Sequence, residues 1–201
     1  MQMNDRRRIV VGISGASGAI YGVRMVEVLH AAAGIEVHLV ISKGAAATIA
    51  YETDSRVEDV AALAHTTYEE GNLAAAIASG TFLTDGMVVA PCSIRTLSSV
   101  ANSANDNLIT RAADVHLKER RRLVLMVRET PLHAGHLRLM TEATAAGAVI
   151  LPPVPGFYTR PATVEELVDH SVGKALDLLH IPHDLFRRWA GPEPADADRD
   201  R

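Results

Sequence analysis

Arg8-Ile9-Val10-Val11-Gly12-Ile13-Ser14-Gly15-Ala16-Ser17-Gly18-Ala19 is the stretch that decides the fold. A short apolar run leads into a loop of small residues, and a helix-like stretch follows. Such a strand-turn-helix unit presents backbone N–H groups to an anion at a helix N-terminus, where the dipole also favours negative charge. The glycines stand at Gly12, Gly15 and Gly18, a G-x-x-G-x-x-G spacing. This is neither the dinucleotide fingerprint G-x-G-x-x-G nor the Walker pattern G-x-x-x-x-G-K-S/T. The loop points to a nucleotide or flavin site of an uncommon kind, at the edge of a parallel sheet.

Outward from this loop, apolar runs alternate between strand and helix candidates. Strands are expected at Ile9–Ile13, Val37–Ile41, Gly86–Ala90, Leu123–Val127 and Ala148–Leu151. Pro91 is expected to end the third, and Pro152 with Pro153 the fifth. Helical periodicity is expected over Ala19–Ala33, stopped by Gly34, and from Ala45 to Tyr51. Further helices are expected over Arg95–Asn102, Leu137–Ala146 and Val164–Leu179. Strands that are apolar throughout imply a sheet covered on both faces. The fold class is therefore α/β: a Rossmann-like three-layer α/β/α arrangement with a doubly wound, mostly parallel sheet. In such sheets ligands bind beyond the carboxyl ends of the strands. Those ends carry Ser14–Ser17, Ser42-Lys43, Pro91–Thr96, Arg128-Glu129 and Pro153–Tyr158. The segment Asp54–Thr84 is less regular and reads as a variable insertion. Residues 1–190 read as one domain, and 191–201, almost without apolar residues, as a disordered tail.

Composition narrows the function. The chain has 201 residues, enough for a sizeable core, with 20 basic against 24 acidic side chains and a net charge of -4. Without a long basic stripe, and with few aromatic residues, nucleic acid is not an expected partner. The single cysteine, Cys92, leaves no internal disulfide and fits a reducing compartment. No apolar run reaches the roughly 18 residues of a membrane span, and residues 1–8 lack the apolar core of a secretory signal. A cytoplasmic protein is expected. His133 and His136 stand three apart, but no H-E-x-x-H pattern or Cys/His quartet accompanies them. They read as capping or surface residues, and no metal is expected.

A nicotinamide dinucleotide would call for an acidic residue near the end of the second strand, to hold a ribose hydroxyl. Ser42 and Lys43 stand there instead, which permits a flavin mononucleotide or another phosphate ester. Pro91-Cys92-Ser93-Ile94-Arg95-Thr96-Leu97-Ser98 sets hydroxyls and free N–H groups at a strand-to-helix junction. That suits a phosphate or a flavin edge, while Ser93 reads equally as a plain helix N-cap. Cys92 has no base placed beside it and reads more simply as a small buried residue than as a nucleophile. Most of the run Lys118-Glu119-Arg120-Arg121-Arg122 reads as a solvated face. Arg128 differs, because it follows an apolar strand at the binding edge. It suits bidentate phosphate recognition, and Glu129 beside it could move a proton; a surface ion pair is the other reading of the two.

Taken in order, these segments resemble the UbiX-type flavin prenyltransferases, in older usage small subunits of aromatic acid decarboxylases. The matching stretches are Gly12–Ala19, Ile41-Ser42-Lys43, Glu52-Thr53-Asp54, Pro91–Ser98, Asn107–Val115, Leu117–Arg121, Val127–Pro131 and Pro155-Gly156-Phe157-Tyr158. The resemblance runs from about Ile9 to Trp189. It implies that reduced FMN binds at the sheet edge and is alkylated at N5 and C6 by dimethylallyl phosphate. The product, prenylated FMN, is the cofactor of UbiD-type decarboxylases, so flavin is substrate rather than redox catalyst. FMN binding is implied for Gly15, Ala16, Ser17, Ser42, Ser93, Ile94, Arg95, Thr96 and Arg128. Tyr158 and Lys174 match positions that hold the prenyl phosphate, with Arg111, Lys118, Arg128 and Glu129 expected close to it. Trp189 offers an aromatic wall to an allyl-cation-like fragment. Catalytic roles are implied for Ser17, Glu52, Lys118 and Glu129, with Ser17 and Glu52 near N5 and the proton lost on ring closure. Glu52 reads otherwise as a surface carboxylate at a helix end.

In this family the pocket lies between subunits, and trimers assemble into dodecamers. The region Tyr158–Lys174 is then expected to reach a neighbour's flavin. Two other readings compete. An FMN-dependent decarboxylase of cysteine-type carboxyl groups would share the strand-Pro-x-Ser frame and Asp106-Asn107-Leu108, but has Asn in place of Arg95 and uses a helical histidine as base. A non-catalytic flavin carrier would leave Lys118, Arg128-Glu129, Tyr158 and Lys174 unexplained.

Overall fold

The structure, a computed structural model, describes residues 6–191. The tail expected beyond Gly191 lies outside the described residues. In chain order the elements are β1 (Arg7–Ile13), α1 (Ala19–Ala31), β2 (Ile35–Ile41), α2 (Lys43–Glu52), α3 (Val57–Ala62) and β3 (Thr66–Tyr68). A 3₁₀ turn at Ala76–Ala78 follows, then β4 (Gly86–Cys92), α4 (Ile94–Ala101), α5 (Leu108–Lys118) and β5 (Leu123–Val127). The chain continues through α6 (Ala134–Ala146), β6 (Val149–Ile150) and α7 (Val164–Leu178). The six strands form one sheet in the order β3-β2-β1-β4-β5-β6, every pair parallel.

From β1 the chain winds outward to β2 and β3, then returns across β1 to β4 and winds the other way. The crevice therefore opens beyond the carboxyl ends of β1 and β4. Two apolar layers flank the sheet. Val11, Val26, Leu29, Val172 and Leu176 pack on the side of α1 and α7, and Val89, Leu97, Ile109, Leu125 and Leu139 on the side of α4, α5 and α6. Burying each large aliphatic side chain stabilises by about 1.5–3 kcal/mol. That is enough for the layers to hold polar loops at the sheet edge, where little apolar area is buried.

Two expectations are corrected. Pro91 does not end the third strand; β4 runs through it to Cys92, with a shift of register against β5 between Val89 and Cys92. A bulge is where a strand tolerates a residue without an N–H donor. The segment Asp54–Thr84 is not a mere insertion, since its Thr66–Tyr68 forms the edge strand against His38–Val40. Three residues are too short to show a period of two. Most of the run Lys118–Arg122 is exposed as expected; the exception is Arg121, half-buried and donating to the carbonyls of Gly80 (2.6 Å) and Phe82 (2.9 Å).

Helix α5 was not among the expected helices, although its start is written in the chain. Asn107 Oδ1 accepts from Thr110 N–H at 3.0 Å, and Asn107 N–H donates to Thr110 Oγ1 at 3.3 Å, a reciprocal cap. Thr in place of the usual Glu or Gln disguised the signal.

Candidate functional site

Beyond the ends of β1, β2 and β4 lies a cleft of about 1040 Å³. Ser14, at the end of β1, ties its walls together. Its hydroxyl donates to the Pro91 carbonyl (2.8 Å) and accepts from Ser93 N–H (2.8 Å). Ser42 and Ser93 cap α2 and α4, accepting from Ala45 N–H at 3.0 Å and Thr96 N–H at 3.2 Å. Ser93 is thus both the N-cap and a cleft residue. Ile94, Arg95 and Thr96 line the cleft with it, and the first-turn N–H groups of Ile94 and Arg95 have no acceptor within the helix. Arg95 is 86% exposed and pairs loosely with Asp106 at 3.7 Å.

Gly15 meets α2 backbone to backbone. A Cβ there would stand 2.9 Å from Gly44 Cα, so only glycine lets the β1–α1 loop and the first turn of α2 meet. Ala16 continues this loop, its N–H donating to the Ser14 carbonyl at 2.9 Å.

Beside the cleft, a second cluster forms at the start of α1. Gly18, at φ 96°, has no side chain to cap the helix. Glu52, from the end of α2, supplies the cap instead, its Oε2 accepting from Gly18 N–H (2.6 Å) and Ala19 N–H (3.1 Å). Burial works against its charge, but a hydrogen bond from Ser17, those two N–H groups and the Arg128 guanidinium hold the carboxyl below its usual range. Glu52 is an exposed carboxylate at the end of α2, as its plainer reading has it, and it also caps the start of α1. Arg128 also faces Tyr21, whose phenol burial pushes up against the pull of Arg128 and a hydrogen bond with Ser171 on α7. Arg128 and Glu129 form no ion pair; Glu129 Oε1 accepts from Thr130 N–H (3.0 Å), and Glu129 lines the cleft.

A third group gathers around α7, with Tyr158 before it and Trp189 after it. The Tyr158 hydroxyl stands 3.2 Å from His170 Nε2, and its ring meets Trp189 edge-on with centroids 5.9 Å apart. Lys174, one turn beyond His170, is 3.8 Å from Asp177. Tyr158 is 48% and Trp189 65% exposed.

Arg111 and Lys118, like Tyr158, Lys174 and Trp189, do not line the cleft within this chain. Arg111 donates to the Ala78 carbonyl (3.1 Å) and pairs with Asp114 (3.1 Å). Lys118 pairs with Glu119. Helix α5 carries Lys118 away, about 15 Å further along the axis than the cleft residues Asn107 and Thr110, while Arg111, next to Thr110, is drawn aside by Ala78 and Asp114.

The cleft also holds residues that the sequence did not single out. Glu70 is foremost: its carboxylate accepts from Lys43 N–H (3.0 Å) and its carbonyl from Leu108 N–H (2.8 Å), joining the starts of α2 and α5. Nothing in its irregular surroundings marked it. Cys92 is fully buried, and burial pushes its thiol up to about 12, as a packing residue. His133 caps α6, its Nδ1 accepting from Gly135 N–H at 3.0 Å. Among the described residues no group of three or more His, Cys, Asp or Glu could hold a metal ion, and no helix is long and apolar enough to cross a membrane.

Comparison with known proteins places this geometry. The family described as Flavoprotein matches residues 1–176. The flavin prenyltransferase UbiX of Thauera aromatica is 57% identical over 194 residues, covering 96% of this chain and all of that protein. The flavin prenyltransferase UbiX of Escherichia coli K12 is 56% identical over 187 residues, covering 92% of this chain and 99% of that protein. Among solved structures, AnUbiX in complex with FMN and dimethylallyl pyrophosphate is similar at TM-score 0.91 and 51% identity, over 94% of this chain and 100% of that one. A dodecameric, FMN-dependent UbiX-like decarboxylase from Escherichia coli O157:H7 is similar at TM-score 0.90 and 44% identity, over 92% and 100% of the two chains. The FMN-dependent cysteine decarboxylase SpaF, at 16% identity and TM-score 0.60, shares the fold alone. A sheet-edge cleft between two serine-capped helices, and likeness over nearly the whole chain, give one conclusion: the chain belongs to the UbiX-type flavin prenyltransferases of the Flavoprotein family.

Proposed function

We propose that residues 1–190 act in the cytoplasm as one flavin-binding domain that transfers a dimethylallyl group from dimethylallyl phosphate to N5 and C6 of reduced FMN. We further propose that trimers forming a dodecamer are the working assembly, and that a UbiD-type decarboxylase receives the prenylated FMN. The observation that carries the reading is the junction of two groups at one sheet edge. A cleft lined by helix N-termini adjoins the Ser17–Glu52–Arg128 cluster.

The residues present fit FMN. The Gly15–Gly44 contact keeps side chains out of the loop crossing, and two helix starts offer N–H groups and hydroxyls suited to a phosphate ester. When bound, reduced flavin supplies the nucleophilic positions of the reaction. The chain supplies the rest. Ser42, Ser93, Thr96 and the first-turn N–H groups of α4 fix position. Arg128 stabilises charge as C–O cleavage leaves the electron pair on the departing phosphate. Glu52, kept ionised by its neighbours, takes the proton released on ring closure, and Ser17 orients it. Tyr158, Lys174, Arg111 and Lys118 act on a neighbouring subunit's cleft. That arrangement supports their standing exposed or away from the cleft of their own chain.

A carrier and an enzyme separate on Glu129, which lines the cleft without contacting Arg128 or Glu52 in the chain alone. Glu129→Gln is expected to bind FMN normally and to form product slowly. Product formation at the wild-type rate would remove Glu129 from the reaction.

A further inference from the structure

We infer that His170 is a positioning residue for Tyr158: its Nε2–H donates to the phenol oxygen, leaving the Tyr158 O–H free to donate to an anionic oxygen of the prenyl donor. The inference rests on the proposed prenyl transfer and deepens its donor subsite. His170 is buried, only 9% exposed, while Tyr158 beside it is half open. The two polar atoms lie 3.2 Å apart, and either could be the donor.

The other ring nitrogen decides between them. His170 Nδ1 is buried and has no hydrogen-bond partner. A neutral imidazole carries one proton, on one nitrogen or the other. On Nδ1 it would make a buried N–H with no acceptor, an arrangement that native structures avoid more strictly than an unpaired acceptor. On Nε2 it meets the Tyr158 oxygen. Burial, and then the charge of Lys174, push the His170 pKa below its ordinary value, so the ring is neutral near pH 7. The phenol oxygen then accepts, and its own hydrogen is left for another acceptor.

Packing holds the ring in this pose. Phe186 lies against it with centroids 4.8 Å apart, and Gly156 is so close that a Cβ there would stand 2.7 Å from His170 Cε1. Trp189 meets the Tyr158 ring from a further side. His170 itself is not proposed to touch the substrate.

The test has two readouts. The first is the tautomer, read by ¹⁵N NMR of histidine-labelled protein, with His170→Gln identifying the His170 signal. The Nε2–H form is expected, and the Nδ1–H form would overturn the inference whatever the activity. The second is a double-mutant cycle of His170→Phe and Tyr158→Phe, read as KM for dimethylallyl phosphate and KM for FMN. His170→Phe keeps the ring and deletes the donor. It is expected to raise KM for the prenyl donor about tenfold, the scale of one hydrogen bond to a charged group, and to leave KM for FMN unchanged. In the Tyr158→Phe background it is expected to add less than about twofold. His170→Gln, which restores an amide donor, is expected to recover most of the loss and guards against a folding defect in the phenylalanine variant. An undiminished effect without the Tyr158 hydroxyl, or no effect in the wild-type background, would overturn the inference while leaving prenyl transfer intact. Wild-type protein that forms no prenylated flavin would overturn both.

Discussion

Replacing Gly15 by alanine tests how the cleft is built. Gly15 does not use left-handed backbone, so alanine fits its dihedral angles. By itself that would stabilise the chain by about 0.4–1 kcal/mol, through the entropy of the unfolded state. The added methyl would, however, stand 2.9 Å from Gly44 Cα and 3.0 Å from the Gly44 carbonyl carbon. Carbon atoms in ordinary contact sit about 3.5–4.0 Å apart, so the first turn of α2 must retreat by roughly 0.5–1 Å. Both offending atoms are backbone, and no rotamer relieves them. Overpacking of this kind costs about 1–3 kcal/mol, which leaves a net loss near 1–2 kcal/mol. The retreat also drags cleft residues, because Ser42 N–H is held by the Ile13 carbonyl and Lys43 N–H by Glu70, each at 3.0 Å. FMN affinity is expected to fall about tenfold or more, the equivalent of 1.4 kcal/mol. The control is Gly44→Ala, whose Cβ would meet Gly15 Cα at 3.2 Å. There the gain in helix propensity, about 1 kcal/mol, offsets a milder contact. Urea midpoints and flavin fluorescence titration measure both quantities. Unchanged stability and affinity in Gly15→Ala, or Gly44→Ala as the worse variant, would refute the reasoning.

Other outcomes are expected from the same geometry. Glu52→Gln should bind FMN, lose less than about 1 kcal/mol of stability as an exposed cap, and slow single-turnover product formation by a factor on the order of 100 or more. Full activity would take the proton step away from Glu52. Stability should fall with acid through His116, which donates from Nδ1 to the Ala112 carbonyl (2.7 Å) and pairs through Nε2 with Thr84 (2.9 Å). Burial, with Arg121 nearby, pushes its pKa down to about 4, below the value near 6.5 expected when unfolded. The unfolded chain therefore binds the proton first. The stabilisation is complete above about pH 6.5 and shrinks by about 3 kcal/mol as pH falls toward 4. Urea midpoints across this range should show the slope, and His116→Gln should flatten it; an equally steep slope in the variant would assign the loss elsewhere. Cys92 should resist a thiol reagent in the folded protein and react fully in urea. Rapid labelling of the native chain would contradict its burial.

What was legible in the sequence follows from how local each signal is. The strands β1, β2 and β5 stand out because their apolar runs are long and unbroken, and the loop after β1 because its small residues are consecutive. Ser42 and Ser93 could be placed at the cleft for the same reason: each directly follows a strand. The pairing of Glu52 with Gly18 could not be read, since a helix that lacks its own capping side chain borrows one from 34 residues away. Glu70 was hidden similarly, its partners Lys43 and Leu108 being distant in the chain. Arg111 and Lys118 were matched by motif alone. Motif carries no information on which subunit's cleft a residue serves.

The most direct measurement is mass spectrometry of the flavin after anaerobic incubation of the protein with reduced FMN and dimethylallyl phosphate. A flavin heavier by one five-carbon prenyl unit, formed over repeated turnovers, is the predicted result. Unmodified flavin, with dimethylallyl diphosphate equally inert as donor, would contradict prenyl transfer and leave this chain a passive flavin carrier or a decarboxylase.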